Sequence, residues 1–296
     1  MIRFLLGISR APFLPLSLLC ALLGIAAAHY AGSSIRLADA VLVVLAAVLA
    51  HASVNAFNEY FDFRSGLDLK TVRTPFSGGS GSLPAAPGYL HLALGWAVLT
   101  LVVTVAIGLY FIRLRGWMLG SLGAMGALLV IAYTPLINRW PWTCLLAPGI
   151  GFGPVLVLGS SVAAGGSAGA AAGWSAAIMA VMTSGLLLAN QQPDVEADRS
   201  VGRRHLAISY GEALARRVLV ALWCLPAVLL ALAVSLGQLP PLAALAIFPA
   251  ILAIANALGL WRLSLAEALP LALLGRNVVA CLAMPLCLAV ALLLAA

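Results

Sequence analysis

Apolar residues along this chain come in long unbroken runs, not in alternation and not in the narrow stripe of a soluble amphipathic helix. A helix needs about 20 mostly apolar residues to cross the hydrocarbon of a bilayer. Nine segments meet that length, at approximately 12–30, 38–60, 89–112, 117–137, 142–162, 173–190, 214–236, 240–260 and 276–296. Helix is the required element, because lipid offers the backbone no hydrogen-bonding partner and barrel strands would alternate apolar and polar positions. The pattern predicts an all-α, polytopic membrane bundle of about nine transmembrane helices. No polar linker divides it, so a single integral membrane domain is expected over 1–296.

Composition agrees. The chain is 64% hydrophobic and 8% charged, against about 25% charged in a soluble domain. A water-soluble fold of this make-up would expose too much apolar surface, so the expected solvent is the lipid bilayer. Arg3 and Arg10 precede an apolar run that ends in Ala26-Ala27-Ala28, which resembles a secretory signal. The many later spans point instead to an uncleaved first helix. The five cysteines lie in apolar runs without a CxxC pair, so neither a disulfide framework nor a zinc site is indicated.

Charge changes the picture more. The connections alternate between long polar ones, such as 61–88 and 191–213, and short ones, such as 113–116 and 163–172. With the N-terminus inside, 13 of the 16 basic residues fall on the inner side, and only Arg36, Arg113 and Arg115 fall outside. The positive-inside rule therefore predicts a cytoplasmic N-terminus, cytoplasmic long loops and an outer C-terminus, in an inner or cytoplasmic membrane. The net charge of +7 is spread over short loops with no basic stripe, so no nucleic-acid partner is expected. Of the acids, only Asp39 is outer. The rest gather on one side, and the positive-inside rule does not demand that.

Two acidic clusters account for most of them. Asn55, Asn58, Glu59, Asp62 and Asp68 close the second span. Asn58 and Asp62 are four apart and share a helix face. Asn190, Asp194, Glu196 and Asp198 close the sixth span, with Asn190, Asp194 and Asp198 again stepping by four and Pro193 placed to kink the helix. Carboxylates at a membrane boundary are costly unless they are paired or bound to metal. Mg²⁺ takes oxygen ligands, commonly one or two carboxylates plus substrate phosphates. The two clusters suit Mg²⁺ ions bridging to a diphosphate, with Lys70, Arg73, Arg203 and Arg204 neutralising the remaining phosphate charge. A solvated acid-and-arginine loop is the plainer reading of either cluster alone. The repeated spacing argues against it. Between the clusters, Arg73 to Ser82 contains Gly78, Gly79 and Gly81, suited to an anion-contacting loop or a hinge.

These residues resemble the UbiA-type intramembrane prenyltransferases. That family has nine membrane helices, an Asn-x₃-Asp element after helix two and an Asp-x₃-Asp element after helix six. Asn58, Asp62, Gly66 and Asp68 resemble the quinone-pathway branch. Asp194-x₃-Asp198-Arg199-x₂-Gly202-Arg203-Arg204 resembles the family's second element, and Tyr133-Thr134-Pro135 resembles its Tyr-Thr-Pro element. Glu59 stands where Asp is usual, and Gly66 takes the place of a third Asp, with Asp68 two residues on. The resemblance implies Asp62, Asp194 and Asp198 as catalytic. It implies Asn58, Glu59, Asp62, Asp68, Asp194 and Asp198 as Mg²⁺ ligands. Asn58, Asn190, Tyr133, Lys70, Arg73, Arg203 and Arg204 would contact the prenyl diphosphate. The implied reaction is ionisation of the prenyl diphosphate, followed by capture of the allylic cation by a lipophilic aromatic acceptor. The first cluster resembles that of dihydroxynaphthoate prenyltransferases of menaquinone synthesis. A different phenolic or isoprenoid acceptor and an ion-coupled transporter are the rival readings. The transporter is disfavoured because the acids sit at helix ends and not in mid-span.

Overall fold

The computed structural model describes residues 1–265 and 267–296 and is helical throughout, with no strand among the described residues. In chain order the helices are α1 (Ile2–Ile8), α2 (Leu14–Tyr30), α3 (Leu37–Arg64), a short α4 (Ser82–Ala85), α5 (Leu90–Arg115) and α6 (Trp117–Ala132). There follow α7 (Pro141–Ile150), a π-helical stretch Gly151–Leu158 and α8 (Gly159–Ala163), which together make one span. The remainder are α9 (Ala170–Asn190), two short helices α10 (Val195–Ser200) and α11 (Leu206–Tyr210), α12 (Glu212–Ser235), α13 (Ile247–Trp261) and α14 (Leu271–Leu294).

Eight of these helices or continuous helical stretches are long and apolar enough to cross a membrane. The ninth apolar helix, α6, has 16 residues and is shorter. The pattern predicts nine spans, and the ninth is present in reduced length, because a turn at Tyr133–Leu136 ends it before residue 137. The N-terminal α1 is an addition that the apolar pattern does not announce.

The spans pack as a closed ring in sequence order: α3 against α5, α5 against α6, α6 against the π stretch, then α9, α12, α13, α14, α2 and back to α3. In lipid no hydrophobic force separates helix from solvent, so association depends on close packing and interhelical hydrogen bonds. Small residues supply the first. A Cβ on Gly153 would stand 2.3 Å from the Ala176 carbonyl oxygen, and one on Gly149 2.6 Å from that of Ala180. The π/α7 span therefore lies directly on α9. Polar side chains supply the second: Ser53 Oγ donates to the Ala97 carbonyl at 2.7 Å, and Trp223 Nε1 to Asn277 Oδ1 at 2.9 Å. Pro148 and Pro154 each remove a backbone donor inside the fifth span, consistent with its wider π turn.

Two features position the site. Helix α3 has 28 residues, about 42 Å at 1.5 Å per residue, which exceeds the roughly 30 Å hydrocarbon core. Its last turns, bearing Asn58 to Arg64, therefore extend to the boundary. Helix α9 ends at Asn190, and a 3₁₀ turn (Gln192–Asp194) leads into α10. The kink expected at Pro193 is a break, so the second cluster is divided among the end of α9, the 3₁₀ turn and α10 and not stacked on one straight helix.

Candidate active site

Both acidic clusters open onto one cavity of about 620 Å³, lined by Asp62 and Asp68 from the first and by Asn190, Asp194 and Asp198 from the second. Asn58, Tyr133, Arg10 and Arg203 line it as well. The two clusters, some 130 residues apart in sequence, therefore form a single polar mouth on an otherwise largely apolar chamber.

Arg203 ties the clusters together. Its Nη1 donates to Asp198 Oδ1 at 2.9 Å, and its Nη2 donates to Asp62 Oδ1. Burial works against its positive charge, but the two carboxylates outweigh burial and raise its pKa, so it stays a cation. Asp198 also has His205 Nε2 at 3.3 Å, and both side chains are almost fully buried. Asp68 lies on a 3₁₀ turn after α3. Burial, together with the neighbouring charges of Glu59 and Asp62, pushes it up to about 7 against the pull of Arg10 and Arg203.

The glycine loop lies across both clusters. Gly78 N donates to Asp194 Oδ2 at 3.2 Å, and Ser80 N donates to Glu59 Oε1 at 2.8 Å. Gly79 has φ +74°, and a Cβ there would sit 2.8 Å from Asp68 Oδ1. A side chain at that position would suffer both left-handed strain and contact with a carboxylate. The loop thus contacts the acids through its backbone.

Not every predicted residue faces the cavity. Glu59 is fully buried and does not line it. Its Oε1 accepts from Arg10 Nε at 2.8 Å and from Ser80 N, and its Oε2 accepts from Ser80 Oγ at 2.7 Å. Asn58 Oδ1 accepts from Arg10 Nη2 at 2.9 Å, while its Nδ2 donates to Thr134 Oγ1 at 3.1 Å. These bonds leave little free capacity for metal on Glu59 or on the Asn58 oxygen. Lys70, Arg73 and Arg204 are exposed and outside the lining. Lys70 Nζ reaches Ser200 Oγ at 3.3 Å, and the Arg73 guanidinium lies over Gly81. Lys70 and Arg73 brace the loops around the mouth.

Arg10, Asn138 and His205 join the site although no motif in the sequence announces them. A lone cation between Ser9 and the first apolar run was the available signal, but nothing local shows that it reaches back to α3. Asn138 and His205 line the cavity and are buried.

Oxygen is the donor type this mouth offers. Asp68 Oδ2 and Asn190 Oδ1 are buried without a hydrogen-bond partner, which suits a hard divalent cation such as Mg²⁺. Among the described residues no three His, Cys, Asp or Glu side chains converge tightly enough to hold a metal by themselves. That agrees with the habit of Mg²⁺ to complete its shell with phosphate and water, so the residues fit such an ion.

The chamber within the helical ring is thus acidic at one mouth and largely apolar within. Residues 17–273 match the UbiA prenyltransferase family, and the chain belongs to that family. It is 30% identical over 165 residues to a 1,4-dihydroxy-2-naphthoate octaprenyltransferase of Bacillus subtilis (strain 168), a match covering 54% of this chain and 50% of that relative. The chain thus aligns with about half the length of that relative. Among solved structures it resembles a digeranylgeranylglyceryl phosphate synthase (TM-score 0.70, 17% identity, covering 99% of this chain and 98% of that one). It also resembles a UbiA homolog from Aeropyrum pernix K1 (0.69, 18%, 94% and 97%). A third is a UbiA homolog from Archaeoglobus fulgidus bound to DMAPP and Mg²⁺ (0.65, 17%, 97% and 99%). At these identities the likeness shows the shared fold.

Proposed function

We propose that this chain transfers a prenyl group from a prenyl diphosphate to a lipophilic aromatic acceptor of the quinone-precursor kind, dihydroxynaphthoate being the leading candidate. The observation that carries this reading is the joining of Asp62, Asp68, Asp194 and Asp198 at one mouth of a largely apolar chamber. The naphthoate relative supports the acceptor, and the Archaeoglobus homolog bound to DMAPP and Mg²⁺ supports the donor and the metal.

Asp62, Asp68, Asp194 and Asp198, with Asn190, are the residues to hold Mg²⁺. When bound, that ion supplies positive charge that stabilises the departing diphosphate. Arg203 and the amides of the glycine loop add fixed donors at the same mouth. Arg10, held by Asn58 and Glu59, contributes a second guanidinium. Tyr133 lines the same chamber and would contact the diphosphate there. Lys70, Arg73 and Arg204 raise the cationic potential outside the mouth. The bond between the allylic carbon and the diphosphate oxygen breaks, and the electron pair leaves with the diphosphate. An electron-rich ring carbon of the acceptor attacks the cation. The ring then regains aromaticity by losing a proton, or carbon dioxide where the attacked carbon carries a carboxylate. The apolar chamber excludes water, which would otherwise quench the cation. The excess of basic residues on one side supports a cytoplasmic mouth and N-terminus.

The test uses the purified chain in detergent with Mg²⁺, labelled prenyl diphosphate and a panel of phenolic acceptors that includes dihydroxynaphthoate. Prenylated product that disappears with EDTA is expected. Absence of product across the panel, together with solute uptake by proteoliposomes, would overturn the reading in favour of a carrier.

A further inference from the structure

Most of the chamber wall is apolar, but α3 carries two polar side chains deeper than the acids. Asn55 and His51 line the cavity about one and two turns inward of Asn58. They are four residues apart, about 6 Å along the axis. Ionisation of a diphosphate at the mouth uses neither.

Hydrogen bonds fix what each of them presents. Ser17 on α2 is fully buried, and its one hydroxyl proton goes to the Leu14 carbonyl at 2.8 Å. In its 3.3 Å contact with His51 Nδ1 the Ser17 oxygen must therefore accept. That places the imidazole proton on Nδ1 and leaves Nε2 with a lone pair. Nε2 has no hydrogen-bond partner among the described residues and is not sealed from the chamber. Phe152, which also lines the chamber, holds the ring edge-on with centroids 5.1 Å apart. Asn55 is set in the same manner. Its Nδ2 donates to the Ser9 carbonyl at 2.9 Å, which fixes the amide and leaves Oδ1 as the free end. Oδ1 likewise has no partner among the described residues and is not sealed off.

The wall thus offers two hydrogen-bond acceptors at neighbouring levels, each short of a donor. A hydrocarbon tail has no donor to give them, and neither has an ionised diphosphate. An aromatic ring with hydroxyls at opposite positions has two, at a comparable separation. We propose that His51 Nε2 and Asn55 Oδ1 bind the acceptor, each taking a hydrogen bond from one ring hydroxyl of a dihydroxy aromatic. The inference rests on the prenyl-transfer reading and narrows its acceptor to an aromatic diol. The ring is then held just inward of Asn58, next to the allylic carbon of a diphosphate seated at Asp62 and Asp198. A hydroxyl that donates to His51 also releases electron density into the ring, which favours attack on the allylic cation.

The test is competition kinetics in detergent with Mg²⁺ and one fixed prenyl diphosphate, on wild type, His51→Phe, the smaller His51→Leu and His51→Gln. Dihydroxynaphthoate is the varied substrate. The two analogues lacking one hydroxyl each, and the one lacking both, are the competitors, read as inhibition constants. On wild type each missing hydroxyl should weaken binding about tenfold, the scale of one neutral hydrogen bond. In His51→Phe and His51→Leu one of the two hydroxyls should fall silent, its loss costing less than about twofold, while the other keeps its tenfold. The KM for prenyl diphosphate should move by less than about twofold in both. His51→Gln, whose amide oxygen can accept, should restore most of the discrimination. A wild type that binds all the analogues alike overturns the pair, whatever the variants do. So do folded variants in which both hydroxyls keep their worth or both lose it, and each of these results leaves prenyl transfer standing. Wild type inert with every donor and acceptor would overturn prenyl transfer itself and the pair with it.

Discussion

The two acidic clusters have similar spacing in sequence and different structures. The first rides on the end of an unbroken α3, so Asn58 and Asp62 share a face as helical geometry requires. The second is cut by a 3₁₀ turn at Pro193, and Asp198 reaches the cavity from the separate helix α10. Each nonetheless divides its acids in the same way. Asp62 and Asp198 face the chamber and share Arg203. The remaining Glu of each cluster is diverted: Glu59 inward to Arg10 and Ser80, and Glu196 outward to an exposed pair with Arg199. Burial and partners decide a carboxylate's role here, and rank within the motif does not.

Predictions can break or sharpen this contrast. The largest effect belongs to the shared pair: Asp62→Asn and Asp198→Asn should each lower the prenyl-transfer rate by about 10²–10³-fold, the scale of losing one charge-stabilising group. Thermal unfolding should still be cooperative, and near-wild-type turnover in both would remove them from the mechanism. Next comes Arg203→Gln, which leaves two buried carboxylates facing each other. A loss of about 3 kcal/mol in detergent unfolding is expected, the scale of breaking a buried ion pair. Glu59→Gln should follow at about 1–2 kcal/mol, since Arg10 keeps a neutral acceptor but loses its charged partner. Its clearest readout is faster proteolysis of the 70–81 loop, which Glu59 holds through Ser80. The smallest effect is Glu196→Gln, within about 0.5 kcal/mol, as for any exposed pair. Equal effects at Glu59 and Glu196 would erase the distinction drawn between the clusters.

Much of this was legible in the chain. Among the described residues, eight of the nine apolar runs correspond to helices long enough to cross a membrane and the ninth to the shorter α6, and the four-residue steps pick out Asp62, Asp194 and Asp198, which line the cavity. Asn190 is legible from the same four-residue step, and Tyr133 from the resemblance of Tyr133-Thr134-Pro135 to the family's element. Lys70, Arg73 and Arg204 were not separable from Arg203 by charge or position. All four lie in loops flanking the acids, but only Arg203 is turned into the chamber. Arg10 and Glu59 pair across 49 residues of sequence, a contact that no local pattern announces.

Sequence alone determined that this is a helical membrane protein with its acids gathered at one side, because hydrocarbon forbids unpaired backbone and penalises charge wherever it lies. Those constraints act residue by residue and so can be read in order. The ring closure that brings α3 to α9 and the guanidinium shared by Asp62 and Asp198 were decided only in three dimensions. They depend on which small residues let helices approach and on which side chain of several similar ones finds the gap, and neither is a property of any local stretch of chain.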